Sequence, residues 1–405
     1  MRASPWYMLA VLTLVSAVNW ADRSVVPILF PPIREEMGLS DTELGIIGGL
    51  AFSAVYAVAA FAFGYAADRK VRKNLIAFGL VLWSLATAAS GLATDFASLF
   101  AARFFTGLGE ASLYPAAMSL IAERFPTGQR GRAMGVFATA AAAVGSGLGI
   151  SLGGVLAANV GWRWVFFIYG GIGIFLLPAV LSIIESPRRE VRGQEDGALA
   201  TVARLFGDRR LLGLWAAGTV MIMAGMGYIS WVPSYFVRVR GFDVATAGYV
   251  FGLTALGGGI VGGLLGGYLA DRRRARRFGG ELEVSAAMAL LAVPATMITL
   301  WAQPTVLYLG GAVIMAVAFY AFFPPTQTML MELVPARNHG MAYAVNILFL
   351  GGIGSSLGPF IVGGISDRSG SLSTAMIAPI IGMVVAGLIM VALSASIGRR
   401  TPAES

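Results

Sequence analysis

The stretch GYAADRKVRK at residues 64–73 is repeated, 203 positions later, as GYLADRRRAR at residues 267–276. In both copies a long apolar run precedes the stretch, and one acidic residue, Asp68 or Asp271, stands immediately before a cluster of basic residues. The shared order of apolar run, acid and basic cluster indicates a duplication. We therefore infer that the chain of 405 residues is built from two related halves.

Two further matches extend the repeat in the same order. The segment ERFP at residues 123–126 is matched by ELVP at residues 332–335, 209 positions later. The glycine spacing of residues 145–154 returns at residues 354–364. Corresponding helices would then run in the same direction, so the repeat is a parallel one, which predicts a central cavity between the halves.

The composition shows that most of this chain is not adapted to water. Hydrophobic residues make up 57% of the sequence and charged residues only 12%, whereas soluble domains carry ~25% charged residues. A helix needs ~20 apolar residues to cross the hydrocarbon layer of a bilayer. We therefore predict an all-α integral membrane fold with twelve spans, at 6–32, 42–67, 74–93, 96–124, 130–158, 162–184, 211–238, 243–270, 282–302, 304–334, 337–366 and 372–397.

One long polar segment, 185–210, separates six predicted spans from six. This predicts an N-terminal bundle at 1–184 and a C-terminal bundle at 211–405, with a linker between them. The second part of the linker, 198–206, has apolar residues at helical spacing and is expected to lie along the inner membrane surface. The first span is not a secretion signal, because it lacks a small-residue cleavage site and contains two charges.

The basic residues predict the orientation of the chain. Most of its 29 Lys and Arg residues fall on the side that also holds both termini, and basic loop residues are retained in the cytoplasm. We therefore expect both termini to be cytoplasmic. Arginine far outnumbers lysine and the outer loops are very short, which favours a bacterial inner membrane.

On these motifs the chain resembles the major facilitator superfamily over its full length, and residues 64–73 are similar to the signature between helices 2 and 3 of that superfamily. Within the superfamily, NWADR at 19–23, RFFTGLGEAS at 103–112, GWR at 161–163 and the stretch 358–367 resemble the spinster branch. The resemblance implies two parallel six-helix bundles around a central cavity, and proton-linked movement of amphipathic lipids such as lysophospholipids or sphingosine phosphate. Organic-anion symporters share much of the helix 1 and helix 4 pattern and remain an alternative.

Four ionisable residues lie inside predicted spans: Asp22, Arg23, Arg103 and Glu110. Each costs ~2.5–3.5 kcal/mol or more at mid-span, so a retained charge usually faces the protein interior and serves the transport pathway. Arg103 and Glu110 are two turns apart and share one helix face. We predict that Arg103 alternates between Asp22 and Glu110, and that each carboxylate binds a proton when the guanidinium leaves it. The alternative is that Arg103 and Asp22 form only a structural clamp. Arg23 is expected at the outer rim, as a gate residue.

The second half lacks these charges, since the repeat shifts place Gly225, Ala312 and Phe319 at the corresponding positions. Its helices 7 and 10 are aromatic instead. A cavity that is charged on one wall and aromatic on the other suits an amphipath with an anionic head, although such stripes also serve packing or lipid contact. The predicted cavity residues are Asn19, Thr106, Ser112, Tyr114, Tyr228, Trp231, Phe319, Tyr320, Phe323, Gln327 and Asn346.

The superfamily resemblance also implies a cytoplasmic gate. In that gate Asp68 sits against the start of helix 11, near Arg337, and Arg69 reaches Glu123 at the inner end of helix 4. A carboxylate is favoured at a helix N-terminus, which makes this placement of Asp68 physically reasonable. The gate set further includes Arg72 and, in the second half, Asp271. Positive-inside loops alone would explain the basic residues but not Asp68.

Other chemistry finds little support in the sequence. The absence of cysteine excludes thiolate chemistry, and His339, the single histidine, has no carboxylate neighbours for a metal site. The net charge of +8 is scattered over loops, so no nucleic-acid partner is expected. We expect a monomeric secondary transporter driven by the proton gradient, with no cofactor and no enzymatic activity. A symporter of a small organic anion such as a sugar acid is the alternative, and a membrane-embedded lipid enzyme is a remote one.

Overall fold

The computed structural model describes residues 4–67, 69–185, 198–335 and 338–397, and its regular structure there is helical. Eleven helices in these ranges are long and apolar enough to cross a membrane. We number them in chain order as spanning helices 1 to 3 and 5 to 12. They are Pro5–Met37, Asp41–Ala67, Arg72–Ser90, Gly128–Val160, Trp162–Leu181, Arg209–Arg238, Val244–Arg274, Glu281–Trp301, Thr305–Leu333, His339–Ser369 and Leu372–Ile397.

The fourth predicted span is present but broken. It consists of the helices Phe96–Glu110 and Leu113–Arg124, which together form spanning helix 4. Proline has no N–H group, and its ring clashes with the carbonyl four residues earlier. Pro115 stands four residues after Ala111, so the chain cannot continue a regular helix through this point. Helix 10 has a similar interruption at Phe322, between Thr305–Ala321 and Phe323–Leu333. The predicted all-helical fold is therefore confirmed.

Three spanning helices contain a π-helical segment. These segments are Ile46–Leu50 in helix 2, Val136–Ala140 in helix 5 and Leu348–Gly354 in helix 11. A π-helical segment has a wider turn than the α-helix around it, and such segments frequently occur at functional sites. The wider turn rotates the following residues away from the face that regular helical spacing predicts.

Glycines allow close helix packing, as their spacing predicted. A Cβ on Gly149 would lie 2.5 Å from the Cα of Ala21, so helix 5 lies directly against helix 1. The counterpart in the other half is Gly354 of helix 11, where a Cβ would lie 2.9 Å from the carbonyl oxygen of Thr219 in helix 7. In helix 8, Gly266 faces Ala321 of helix 10 in the same way.

The described residues form two compact units. The first is Met1–Arg188, Ile229–Leu256 and Pro359–Ala375, and the second is Arg189–Tyr228, Gly257–Gly358 and Met376–Ser405. The first unit therefore contains the first six spanning helices together with the end of helix 7, the start of helix 8 and the end of helix 11. We call the side of this unit near Met37, where helix 1 ends, the distal face, and the side near Pro5 the proximal face.

The linker helix is Ala198–Gly207, where helical spacing predicted it, and residues 186–197 lie outside the described residues. Its Leu205 is buried. The ring of Phe206 lies 5.7 Å from that of Trp215 and 5.9 Å from that of Phe349. Part of its apolar side therefore packs on helices 7 and 11, and its placement along the membrane surface stays a prediction.

Candidate functional site

Asp22 and Arg103 form a buried ion pair in the first unit. Asp22 lies in the middle of helix 1 and is 2% exposed, and Arg103 lies in the first segment of helix 4 and is 1% exposed. Arg103 Nη1 is 3.3 Å from Asp22 Oδ1. The hydroxyl of Thr87, in helix 3, donates to Asp22 Oδ2. This pair, with Thr87, therefore joins helices 1, 3 and 4 within their membrane-spanning parts.

Glu110 forms a second ion pair, with Arg23. The distance from Arg23 Nη2 to Glu110 Oε2 is 3.0 Å. Glu110 is 1% exposed and ends the first segment of helix 4, immediately before the break. Its second oxygen, Oε1, is buried without a hydrogen-bond partner in the described part of the chain. Glu110 thus uses only half of its capacity to accept hydrogen bonds.

These pairs bear on two expectations. Of the two predicted partners of Arg103, the structure shows Asp22, whereas Glu110 pairs with Arg23. The alternation of Arg103 between the two acids stays a prediction. Arg23 lies beside Glu110, so the expectation that it faces the outer rim is wrong. Consecutive residues of an α-helix point about 100° apart. Arg23 therefore leaves helix 1 in a different direction from Asp22, and its long side chain reaches the helix 4 break.

Three aromatic rings surround the guanidinium of Arg23. Its Cζ lies 4.9 Å from the ring centre of Trp20, 4.6 Å from that of Phe52 and 4.6 Å from that of Tyr56. Phe52 also lies 5.5 Å from the guanidinium carbon of Arg103. A cation near aromatic rings at these distances is attracted by their quadrupoles. The rings therefore compensate part of the charge of Arg23.

Sequence reasoning missed these aromatic residues. The helical spacing could have indicated Trp20, since it lies one helical turn before Arg23. Phe52 and Tyr56 follow the π-helical segment Ile46–Leu50 in helix 2, which changes the face on which they lie. No pattern in the sequence located that segment.

A small pocket opens beside the Arg23–Glu110 pair. Of the predicted cavity residues, Asn19 and Tyr114 line it, and the buried Nδ2 of Asn19 has no hydrogen-bond partner among the described residues. The pocket is lined by Ser16, Asn19, Trp20, Arg23, Tyr56, Glu110, Leu113 and Tyr114. It therefore places one cation, one acid, two polar groups and a largely aromatic wall around the same space.

Three further predicted cavity residues are buried. The hydroxyl of Thr106 donates to the carbonyl of Ala102 in its own helix, at 2.9 Å. Ser112 is buried against Gly79 of helix 3. Trp231 is fully buried, and its indole N–H donates to the carbonyl oxygen of Pro359 at 2.8 Å. The structure thus gives each of them a packing contact, and its place in the central cavity stays a prediction.

The predicted residues of the second unit fall into two groups. The ring of Phe319 lies 5.4 Å from that of Tyr320 and 5.3 Å from that of Phe323. The side-chain amide of Asn346 donates to Gln327 Oε1 at 3.4 Å. Tyr228 belongs to the same unit and is buried. The unit therefore contains the aromatic cluster that the sequence predicted, with a single amide pair beside it.

The predicted gate is only partly described, because Asp68 and Arg337 lie outside the described residues. Arg69 does not meet Glu123, since its guanidinium lies over the ring of Tyr65 at 3.5 Å. Arg72 takes that place, with Nη2 at 2.5 Å from Glu123 Oε2 and Nε at 2.6 Å from Glu185 Oε1. The expectation for Arg69 is therefore wrong. Arg72 is the first residue of helix 3, which directs it toward helix 4, whereas Arg69 lies in the preceding turn.

The second unit repeats part of this arrangement. Arg274, at the end of helix 8, forms an ion pair with Glu332, at the end of helix 10. Glu332 is the repeat counterpart of Glu123, and Arg274 lies one position from the counterpart of Arg72. Asp271 is exposed. Both halves thus keep an Arg–Glu bridge at the same place, although the arginine is buried only in the first.

Comparisons with known proteins agree with this architecture. Residues 12–359 match the family model of the Major Facilitator Superfamily. The chain is 30% identical over 374 residues to an MFS-type efflux pump of Mycolicibacterium smegmatis, which covers 89% of this chain and 84% of that protein. It is 27% identical over 410 residues to a probable galactarate/D-glucarate transporter of Bacillus subtilis, with 92% and 88% covered. A bacterial homolog of the human lysosomal transporter spinster, solved in an inward-facing and unoccupied conformation, superposes with a TM-score of 0.87 at 23% identity and full coverage of both chains.

The predicted resemblance is thereby confirmed in sequence and in fold. The model match covers most of the chain, and the helices run in the order that the superfamily requires. The chain belongs to the major facilitator superfamily and is a multi-pass membrane transporter.

Proposed function

We propose that this protein moves an amphipathic anionic solute across the membrane by proton-coupled alternating access. The observation that carries the proposal is the state of Glu110, a fully buried carboxylate with one oxygen on Arg23 and the other without a partner among the described residues. A buried charge that loses its partner is strongly destabilising. Glu110 is therefore suited to exchange its partner for a proton.

The exchange follows from the properties of the two groups. Arginine stays charged, so Arg23 needs an anion at every stage of the cycle. When an anionic substrate group takes Glu110's place on Arg23, the freed carboxylate is left buried in a low-dielectric site and binds a proton. Substrate and proton then favour the same arrangement. A ligand shifts a conformational equilibrium only through such a difference in affinity between states.

The Asp22–Arg103 pair has a different role in this proposal. Both side chains are enclosed, Thr87 binds the second oxygen of Asp22, and neither charged residue lines the pocket. We assign this pair to holding helix 1 against helices 3 and 4, which keeps Arg23 aimed at Glu110. This role is the structural clamp that the sequence offers as the alternative for Asp22 and Arg103.

The lining of the pocket supports an amphipathic substrate. Arg23 supplies the site for an anionic head, and Trp20, Tyr56, Leu113 and Tyr114 supply apolar surface beside it. Such a combination of few polar groups and many aromatic ones is typical of ligand sites. The resemblance of residues 19–23 and 103–112 to the spinster branch implies a lysophospholipid or a sphingosine-phosphate-like lipid as the solute.

A small organic anion such as a sugar acid is the second candidate. The galactarate/D-glucarate transporter relative favours it, and so do Ser16 and Asn19, which offer hydrogen bonds to hydroxyl groups within the pocket. The same Arg23–Glu110 exchange would serve a carboxylate substrate. The two candidates differ only in what fills the apolar part of the site.

Reconstitution into liposomes tests the proposal. Uptake of a labelled lysophospholipid and of labelled glucarate is measured with and without a pH gradient. We expect the gradient to accelerate lysophospholipid uptake, and Glu110→Gln to abolish this acceleration. Glu35→Gln, which changes an exposed glutamate at the end of helix 1, is the matched control. Faster uptake of glucarate alone would support the second candidate, and an unchanged response in Glu110→Gln would refute the coupling.

The proposal includes an orientation with both termini in the bacterial cytoplasm. The basic loop residues support it. Because the chain contains no cysteine, single cysteines can be labelled cleanly. In intact cells a membrane-impermeant maleimide should label Thr94→Cys and leave Lys70→Cys unlabelled, and the reverse pattern would invert the topology. The proposed transporter works as a monomer, with the proton gradient as its energy source and no cofactor.

A further inference from the structure

We infer that Asp367, at the end of helix 11, is a gating residue that holds the distal face closed by capping the start of helix 2. The inference rests on the proposed alternating access and concerns what sets the balance between the two access states. It is carried by contacts within the first compact unit.

Asp367 binds the first groups of helix 2 with both oxygens. The backbone N–H of Asp41 donates to Asp367 Oδ1 at 3.0 Å, and the backbone N–H of Thr42 donates to Oδ2 at 2.7 Å. The Thr42 hydroxyl donates to the same Oδ2 at 2.5 Å. The first N–H groups of a helix have no partner within that helix, and a carboxylate there is stabilised by the helix dipole. Ser40 and Glu43 form a capping box at this start, in which each side chain accepts from the backbone N–H of the other residue. Asp367 thus supplies the partner for the two N–H groups that the box does not bind, from a position 325 residues after Thr42.

Asp41 ties further segments to the same point. Its carboxylate is buried, with Oδ1 at 2.7 Å from Arg238 Nη1 and 3.1 Å from Arg34 Nε. The hydroxyl of Ser366 donates to its Oδ2 at 2.6 Å. The ends of helices 1, 7 and 11 therefore converge on the start of helix 2. We call Asp41, Arg238, Ser366 and Asp367 the distal latch.

The backbones meet closely at the latch. A Cβ on Gly45 would lie 2.5 Å from the carbonyl oxygen of Pro359, and a Cβ on Gly363 would overlap the carbonyl of Asp41. A Cβ on Gly364, the next residue, would have the Thr42 hydroxyl as its nearest atom, at 4.0 Å. Helix 2 and helix 11 can approach this closely only because Gly45 and Gly363 have no side chain.

Spin-label distances in a chain without native cysteine test the inference. One label pair, Thr94→Cys with Val239→Cys, reports on the distal face in nanodiscs without substrate. We expect Asp367→Asn to raise the open fraction at this pair by about threefold to fivefold, the effect of losing one carboxylate at a helix N-terminus.

The matched control is Asp243→Asn. Asp243 caps its own helix 8, where Oδ1 accepts from the Thr246 N–H at 2.8 Å and Oδ2 from the Thr246 hydroxyl at 2.6 Å. The substitution Asp243→Asn removes a carboxylate cap of the same kind, but this cap binds only its own helix. The open fraction should therefore not change. Gly363→Ala should open the distal face, and Gly364→Ala should not.

Two results would overturn the inference: an unchanged open fraction in Asp367→Asn, or an equal shift in Asp243→Asn. A loss of folding alone would broaden the whole distance distribution and would not add a separate longer distance. The measurement uses no substrate, so its outcome is separate from that of the uptake assay. If neither lysophospholipid nor glucarate is transported but Asp367→Asn opens the distal face, the substrate assignment falls and the latch stands.

Discussion

The two halves of the chain treat equivalent positions in opposite ways. In the first half, three positions carry buried ionisable groups: Asp22, Arg103 and Glu110. Asp22 pairs with Arg103, and Glu110 pairs with Arg23. In the second half the same positions are uncharged, and a Cβ on Gly225 would overlap the ring of Phe319. The space that the first half fills with charge is filled by an aromatic ring in the second.

The difference separates a functional site from a structural one. Buried ion pairs are weak evidence for stability, because apolar residues of similar volume often stabilise as well or better. The second half shows that this fold accepts such a replacement at these positions. The uncharged counterpart of Glu110 therefore supports the proposed binding role of the Arg23–Glu110 pair, which lines the pocket.

The largest effect is expected from breaking the enclosed pair. Arg103→Met leaves Asp22 buried with Thr87 as its remaining partner, and we expect the free energy of unfolding to fall by about 3–5 kcal/mol. The measurement is unfolding in detergent. Asp22→Asn combined with Arg103→Met should recover part of the loss, and no recovery would show that Arg103 stabilises through packing alone.

The bridge near the ends of helices 4 and 10 sharpens the comparison between halves. The Arg72 side chain is 2% exposed and binds Glu123, Glu185 and the Ser119 hydroxyl, whereas the Arg274 side chain is 45% exposed and pairs with Glu332. Arg72→Gln should lower the free energy of unfolding by about 2–3 kcal/mol, since hydrogen bonds to charged groups are lost.

Arg274→Gln is the matched variant in the second half. It should cost less than about 1 kcal/mol, because ion pairs exposed to water contribute little. Equal losses in the same unfolding assay would contradict the asymmetry between the halves.

A smaller effect is expected at the contact that replaces the charges. Gly225→Ala forces the buried ring of Phe319 to move, and overpacking of this kind costs about 1–3 kcal/mol. Phe319→Leu should relieve the strain in the double variant. Gly257→Ala, where no atom lies within 4 Å of the new Cβ, is the control and should not destabilise. Failure of the double variant to recover would argue that Gly225 is needed for its backbone.

The smallest effect concerns the aromatic rings around Arg23. Tyr56→Leu removes one ring at 4.6 Å from the guanidinium while keeping apolar volume. We expect a change of about 0.5–2 kcal/mol in the apparent affinity for the anionic substrate, the usual range of a cation–π contact. Substrate competition in proteoliposomes measures it. Tyr249→Leu, an exposed tyrosine of helix 8, should leave the affinity unchanged.

Much of the fold and part of the site followed from the order of residues. Apolar runs of spanning length, the matched motifs and the glycine spacings predicted an all-helical duplicated fold, and the depth of Asp22, Arg103 and Glu110 identified the charged wall. These features depend on periodicity and burial cost, which are local properties of the chain. The sequence predicted the aromatic cluster around Phe319 for the same reason.

The partners of the charges were settled only by the packed helices. Whether Glu110 meets Arg23 or Arg103, and whether Glu123 meets Arg69 or Arg72, depends on the rotation of each helix about its axis and on the reach of long side chains. The break after Glu110 and the π-helical segment before Phe52 change those rotations. The distal latch joins residues 325 positions apart. Sequence periodicity reports the face and depth of a residue, whereas contacts between distant helices exist only once the chain has folded.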